Sequence, residues 1–201
     1  MQTIKEETKE KLLLIGKKEF LSKGFLGASL RKIVKDADTT IGNYYNYFEN
    51  KEALFKELVQ GEYESFTHFI QHHDEIGKPD FLWETMDINQ WRQVLEELIT
   101  PMMPSLSINF ILLIEGSKGT QYEGTKKMLV QLLANHFTEH MKKFNPDHVD
   151  KEFAHIIALQ LLNGFIHIIK TTSNHNLRKH LLRDYLLFYF IGSMGMMGIW
   201  N

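Results

Sequence analysis

Apolar residues recur at helical spacing along almost the whole chain, and no stretch sustains the strict alternation that marks a half-buried strand. Only 4 prolines interrupt the 201 residues, and three of them lie between Pro79 and Pro104. Long segments free of breakers predict an all-α protein of about nine helices with short connections. The chain is long enough to bury a sizeable core. A composition of 43% hydrophobic and 24% charged residues excludes a disordered or collagen-like chain. Cysteine is absent, which excludes a disulfide scaffold, a zinc ribbon and a thiol nucleophile.

Stripes and breakers place the helices. The first is predicted from Lys5 to Lys23, with Leu12, Gly16 and Phe20 on one face and Gly24 as a left-handed stop. Ser29 caps a short second helix reaching Ala37. Asp38-Thr39-Thr40 breaks the chain, and a third helix covers Ile41 to Tyr47. Asn50 caps a fourth that runs to His72. Asp74 to Asp80, containing Gly77, Lys78 and Pro79, reads as a linker. Further helices are expected from Asn89 to Thr100, Ser105 to Lys118 and Tyr122 to Phe144. Another starts at Asp147 or Asp150 and reaches Thr172, and the last runs from Asn176 to Ile191 or beyond. The expected organisation is an N-terminal three-helix head, residues 1–50, and a larger helical body, residues 51–201.

The informative stretch is residues 29–51, SLRKIVKDADTTIGNYYNYFENK. Two short helices joined by a tight turn and preceded by a longer one describe a helix-turn-helix. Thr39, Thr40, Ile41, Gly42 and Asn43 are poor helix formers, so stability alone does not explain their concentration in so short a helix. Each has a use at a DNA groove. Thr40 can cap the helix and direct free N–H groups toward phosphate. Gly42 lets the backbone approach the duplex closely. Asn43 offers the paired donor and acceptor that reads adenine. Tyr45 and Tyr47 carry hydroxyls suited to phosphate oxygens, and Lys51 adds an ammonium in the first turn of the next helix. Arg31 can reach a guanine edge or the backbone. Any one of these residues alone reads more readily as core or surface; order and spacing together distinguish the set. Tyr44 and Phe48 are expected to be core. The first 60 residues carry 11 basic and 9 acidic side chains, an asymmetry that permits nucleic-acid contact without requiring it.

From about Thr8 to Leu58 the chain resembles the N-terminal DNA-binding domain of the TetR family of transcriptional regulators. The matching features are Phe20 and Gly24-Phe25, then Ser29-Leu30-Arg31, then Gly42, Tyr45-Asn46-Tyr47-Phe48 and Lys51-Glu52-Ala53-Leu54. The resemblance implies a homodimeric, ligand-responsive regulator. It implies a DNA-contacting set of Ser29, Arg31, Gly42, Asn43, Tyr45, Asn46, Tyr47 and Lys51. Asp38 departs from the family's usual turn glycine, although aspartate tolerates the left-handed conformation. Ile41 stands where a polar residue is usual, with an apolar contact to a thymine methyl as the available substitute.

The resemblance weakens after His72. The helices near 150–172 and 176–191 are apolar on more than one face and call for cover on both sides, for which a partner subunit is the natural candidate. Gly192, Gly195 and Gly198 fit either close helix approach or a fraying tail. A dimer with two heads predicts a palindromic site read from one face of double-stranded operator DNA. A ligand would act by changing the separation or mobility of the heads through the Lys51–His72 helix, binding one arrangement better than the other. Candidate pocket residues for a small apolar or aromatic effector are Phe66, Phe69, Trp83, Trp91, Met103, Phe110 and Tyr122, with Glu115 and His167 as polar groups. Each also reads as an ordinary core or hydrogen-bonded residue.

Paired histidines occur at His136 and His140 and among His68, His72 and His73, but no third ligand or metalloprotease motif accompanies them, so no metal is expected. No catalytic site is legible, and no cofactor is implied. The N-terminus lacks a signal-peptide pattern. Tyr185 to Trp200 is uncharged but short of the roughly 20 residues of a spanning helix. The expectation is a cytoplasmic protein without a membrane partner. The sequence thus supports a ligand-responsive regulator, acting as a repressor, over an all-α small-molecule- or metal-binding protein lacking specific DNA binding. An interfacial lipid-binding protein rests only on the apolar C-terminus.

Overall fold

The computed structural model describes residues 2–72, 87–144 and 146–196; the expected linker, Trp83 and the end of the C-terminal glycine series lie outside them. Nine α-helices and no strand occur among the described residues. They are α1 (Gln2–Gly27), α2 (Leu30–Asp36), α3 (Ile41–Tyr44), α4 (Lys51–His72), α5 (Ile88–Ile99), α6 (Ile108–Glu115), α7 (Thr125–Phe144), α8 (Lys151–Thr171) and α9 (His175–Met196). The fold class is therefore all-α. The chain forms two compact units. One contains residues 1–64 and 108–126, the other residues 65–107 and 127–201.

In the first unit, Leu12 and Phe20 of α1 are fully buried, and Gly16 lies between them. A side chain at Gly16 would press on Leu54 of α4, so this glycine sets how closely the two helices pack. Gly24 adopts φ 65°, ψ 171° and breaks the helical path of α1, with one further turn beyond it. Positive φ is easily reached only by glycine. The break frees the Phe25 N–H, which donates to the Gly116 carbonyl at 2.9 Å. Phe20, Phe25 and Phe55 cluster at centroid distances of 5.2–5.9 Å. α6, with Phe110 to Ile114 all buried, completes this unit.

α6 is shorter than its sequence suggested, because Gly116 ends it, its N–H donating to the Leu112 carbonyl at 2.8 Å. α7 starts at Thr125, not Tyr122. The Tyr122 carbonyl accepts from the Ser117 hydroxyl at 3.2 Å and the Thr125 hydroxyl at 2.7 Å, and Gly124 has φ 89°.

The second unit takes α4 from Ser65, with α5, α8, α9 and the rest of α7. Asp87 and Gln90 form a reciprocal capping box at the start of α5. Trp91 and Leu95 of α5 pack with Leu187 of α9, and the Trp91 and Phe190 rings lie 4.6 Å apart. Asp150 caps α8 through the N–H groups of Glu152 and Phe153. Gly164 of α8 faces Tyr185 of α9 so closely that a Cβ would collide with the ring. The Tyr185 hydroxyl donates to the Gln160 carbonyl at 2.8 Å. Arg178 donates to the Thr172 carbonyl at 2.7 and 2.9 Å and to the Leu106 carbonyl at 3.2 Å.

Among the described residues, α8 is the one helix long and apolar enough to cross a membrane by length and composition, a property shared by core helices. One of its faces, from Ala154 through Leu161 and Phe165 to Ile169, is buried within the chain. The opposite side leaves Ile156 exposed, and α9 leaves Leu177, Leu181 and Phe188 exposed, the last at 74%.

Candidate nucleic-acid interface

α2 and α3 owe their positions to caps and a turn that are local in sequence. The Ser29 hydroxyl accepts from the Lys32 N–H at 3.3 Å, and the Thr40 hydroxyl from the Asn43 N–H at 3.1 Å. Between the helices Asp38 takes φ 54°, the left-handed turn that its short polar side chain tolerates. Regular helix in α3 covers only Ile41–Tyr44. The chain then tightens, with Asn46 N–H donating to Asn43 O at 3.1 Å and Tyr47 N–H to Tyr44 O at 2.9 Å.

The inner side of this segment is anchored by aromatic rings. Tyr44 is fully buried and Phe48 nearly so, their centroids 5.5 Å apart. The Tyr44 hydroxyl donates to the Asn50 carbonyl at 2.7 Å, which ties α3 to the cap of α4. Burial pushes the Tyr44 phenol well above its ordinary range, so it stays neutral. Asn50 in turn accepts from the Ala53 N–H at 2.8 Å.

The outer side carries the candidates. Ser29, Arg31, Thr40, Ile41, Gly42, Tyr45 and Asn46 are exposed, whereas Asn43, Tyr47 and Lys51 are half-buried. Gly42 is informative: its φ is not positive, and a Cβ there would meet only Thr40 Oγ1, at 4.0 Å. Neither backbone nor packing therefore requires glycine at this position. Asn43 is engaged within the segment. Its Nδ2 donates to Thr39 Oγ1 at 2.8 Å, and its Oδ1 accepts from Asn46 Nδ2 at 3.2 Å. Lys51 donates to the carbonyls of Phe25 at 2.7 Å and Ala28 at 2.9 Å, and its ammonium lies 4.4 Å from the Phe25 ring centroid. Burial lowers its pKa below the usual lysine value. Two of its three donors thus hold the last turn of α1 and the link to α2, leaving one for an outside acceptor.

Two contributors escaped the sequence reading. Glu19, buried on α1, accepts from the Ser29 N–H at 3.4 Å and pairs with Lys32 at 3.3 Å, fixing the start of α2. The one available signal was an acid beside the apolar stripe of α1. Thr39 supplies the acceptor that orients Asn43. Lys32 also pairs with Asp36 at 2.5 Å, and these bonds raise its pKa.

The candidate pocket residues do not fall in one unit. Phe110 and Tyr122 are buried in the first, where Tyr122 packs on Phe55 and Tyr63 at 6.4 and 5.3 Å. Burial raises the Tyr122 phenol. Phe66, Trp91 and Met103 are buried in the second, and Phe69 is half-buried there. Glu115 and His167 are exposed. The second unit also presents an open depression of about 470 Å³ with a polar lining that includes Arg92, Glu96, Glu97 and Lys179. The His136 and His140 rings meet edge-on at 4.3 Å, and those of His68 and His72 stack at 4.2 Å. No group of three His, Asp or Glu residues is placed to hold a metal among the described residues.

These features define a helix-turn-helix head whose hydrophobic side is sealed and whose polar side is open. Residues 12–58 match the family model described as bacterial regulatory proteins, tetR family. The HTH-type transcriptional repressor NemR of Escherichia coli K12 is 32% identical over 75 residues, which are 37% of this chain and 38% of NemR. The uncharacterized HTH-type regulator YdgC of Bacillus subtilis 168 is 42% identical over 53 residues, 26% of this chain and 27% of YdgC. The matches thus span well under half of these relatives. Two solved structures share the fold at 18% identity: a TerR/AcrR-family transcriptional regulator of Aquifex aeolicus VF5 and a TetR-family regulator of Chloroflexus aurantiacus J-10-FL. The first aligns over 90% of this chain and 99% of its own with a TM-score of 0.50, the second over 96% and 87% with 0.51.

Proposed function

We propose that this protein is a cytoplasmic transcriptional regulator, acting as a repressor, that binds a palindromic operator as a homodimer and is released by a small apolar or aromatic effector. The carrying observation is Gly42. A residue that weakens a short helix, in a place where the fold has room for a side chain, has its reason outside the fold, in a surface that must come close. Around it stand hydroxyls, amides and the Arg31 guanidinium, the groups that meet phosphates and base edges. In this reading Ser29, Thr40, Tyr45, Tyr47 and the third donor of Lys51 position the duplex. Arg31, Ile41 and Asn46 face its groove, and Asn43 holds the helix that presents Ile41.

Residues 1–50 read DNA and residues 51–201 bind the effector and pair the subunits. Support for pairing comes from the apolar side chains of α8 and α9 that are exposed among the described residues, Ile156, Leu177, Leu181 and Phe188. A second copy bringing the same surface would make an isologous four-helix interface. Support for coupling comes from the connections of the first unit. α4 runs from it into the second unit, and α6 enters it from the body. Phe25 bonds to Gly116, and the Gln121 N–H donates to Glu52 Oε1 at 2.8 Å at the start of α4. An effector that favours one placement of these segments would shift the heads by its difference in affinity between the two placements.

The test is selection of bound duplexes from a random pool, with Tyr45→Glu run in parallel. The wild type is expected to recover a palindrome and the variant nothing, since a carboxylate on the exposed face repels phosphate while leaving the core intact. An unenriched wild-type pool would refute the regulator reading.

A further inference from the structure

We infer that Ile41 is the specificity-determining residue of the head and that it reads the C5-methyl of a thymine, while Asn43 acts as a positioning residue behind it. The inference rests on the DNA-binding reading above and assigns which side chain discriminates between bases. Ile41 is the first residue of α3 and is 38% exposed, although it is a large aliphatic side chain in a segment that buries Tyr44 and Phe48. Its successor Gly42 has no side chain and open space about it, so nothing beside Ile41 holds a base edge away. One turn further on, Tyr45 is 54% exposed and its ring meets the buried Tyr44 edge-on at 5.6 Å. Ile41 and Tyr45 therefore form an apolar stripe on the open side of the head.

The amide that would compete for readout is held at both ends. Asn43 donates to Thr39 and accepts from Asn46, so both ends of its side chain brace α3 against the preceding turn and the following one. Bidentate adenine recognition by Asn43 would be confined to its second N–H and the second lone pair of Oδ1, in the orientation that these two bonds fix. Ile41 carries no such constraint. In the major groove, thymine alone among the four bases presents a methyl group, so an aliphatic contact there discriminates thymine from the others without any hydrogen bond.

The experiment replaces each thymine of the wild-type-selected duplex in turn by deoxyuridine, symmetrically in both half-sites, and measures affinity. Removing one buried methyl is expected to weaken binding about fourfold per half-site, and roughly fifteenfold for the symmetric pair. Ile41→Ala, an exposed position whose loss leaves the core intact, is expected to be indifferent to deoxyuridine at that thymine. If Ile41→Ala binds too weakly to measure, Ile41→Val must show a reduced deoxyuridine effect. Wild-type affinity unchanged at every position, or a full deoxyuridine effect persisting in the variant, would overturn the assignment to Ile41 while leaving the regulator reading intact. A wild type that selects no duplex would overturn both.

Discussion

Replacing Gly42 by alanine sets helix stability against DNA affinity. Alanine is favoured over glycine within a helix by about 0.8–1.0 kcal/mol. α3 is only four residues long and Gly42 is its second, so about half of that gain is expected. Inside the protein the new methyl would meet only Thr40 Oγ1, at 4.0 Å, an ordinary van der Waals separation. Nothing must shift, and the melting temperature should rise by roughly 1–2 °C. On the outer side the same methyl occupies the space through which the duplex approaches. Backing the head away weakens neighbouring base contacts of about 1–3 kcal/mol each, and a dimer loses them twice, so affinity should fall more than tenfold. Circular dichroism melting and fluorescence anisotropy on the selected duplex measure the two effects. A variant that binds as tightly as wild type, or one that is destabilised, would refute the reasoning.

Other perturbations test other parts of the architecture. Lys51→Met removes the donor to the Phe25 and Ala28 carbonyls, and urea titration should show a loss of about 1–3 kcal/mol. Gly164→Ala forces a methyl into the Tyr185 ring, and overpacking should cost about 1–3 kcal/mol in the same assay. Phe188→Asp places a charge on a side chain that is 74% exposed; the fold should survive while sedimentation velocity shifts from dimer to monomer. Glu96 bonds to Lys179 at 2.9 Å and Arg183 at 3.1 Å, and these partners hold its carboxyl below the usual value. Its folded pKa lies below its unfolded one, so the stabilisation is present above the unfolded value and disappears as pH falls through the folded one. The difference in melting temperature between wild type and Glu96→Gln should therefore shrink below about pH 4.

The legible parts of the fold were those specified by neighbours in sequence. Ser29, Thr40 and Asn50 cap the helices they were expected to cap, Asp150 is the one of two candidate aspartates that caps α8, and Gly24 breaks the first helix where a left-handed stop was anticipated. Tyr44 and Phe48 went to the core because their spacing puts them on one side of α3. Pairings between distant segments were not legible. Nothing local to Phe25 announces Gly116, and nothing near Glu52 announces Gln121, yet these bonds bring α6 and its following turn into the same compact unit as the head. The occupied state of Asn43 was hidden for a different reason. The sequence shows a donor and an acceptor, but only geometry shows that Thr39 and Asn46 already use them. Aromatic residues grouped by composition as one pocket are divided between two cores, since periodicity tells which residues are buried and not against what.

The central claim is that the outer side of α2 and α3 is the surface that meets duplex DNA. Photo-crosslinking tests it directly, with p-benzoylphenylalanine placed at position 45 in one preparation and at position 177 in another, both exposed sites. Irradiation with the selected duplex should join DNA to the protein from position 45 and not from position 177. Bound duplex that cannot be crosslinked from position 45, or that crosslinks equally from both, would contradict the account.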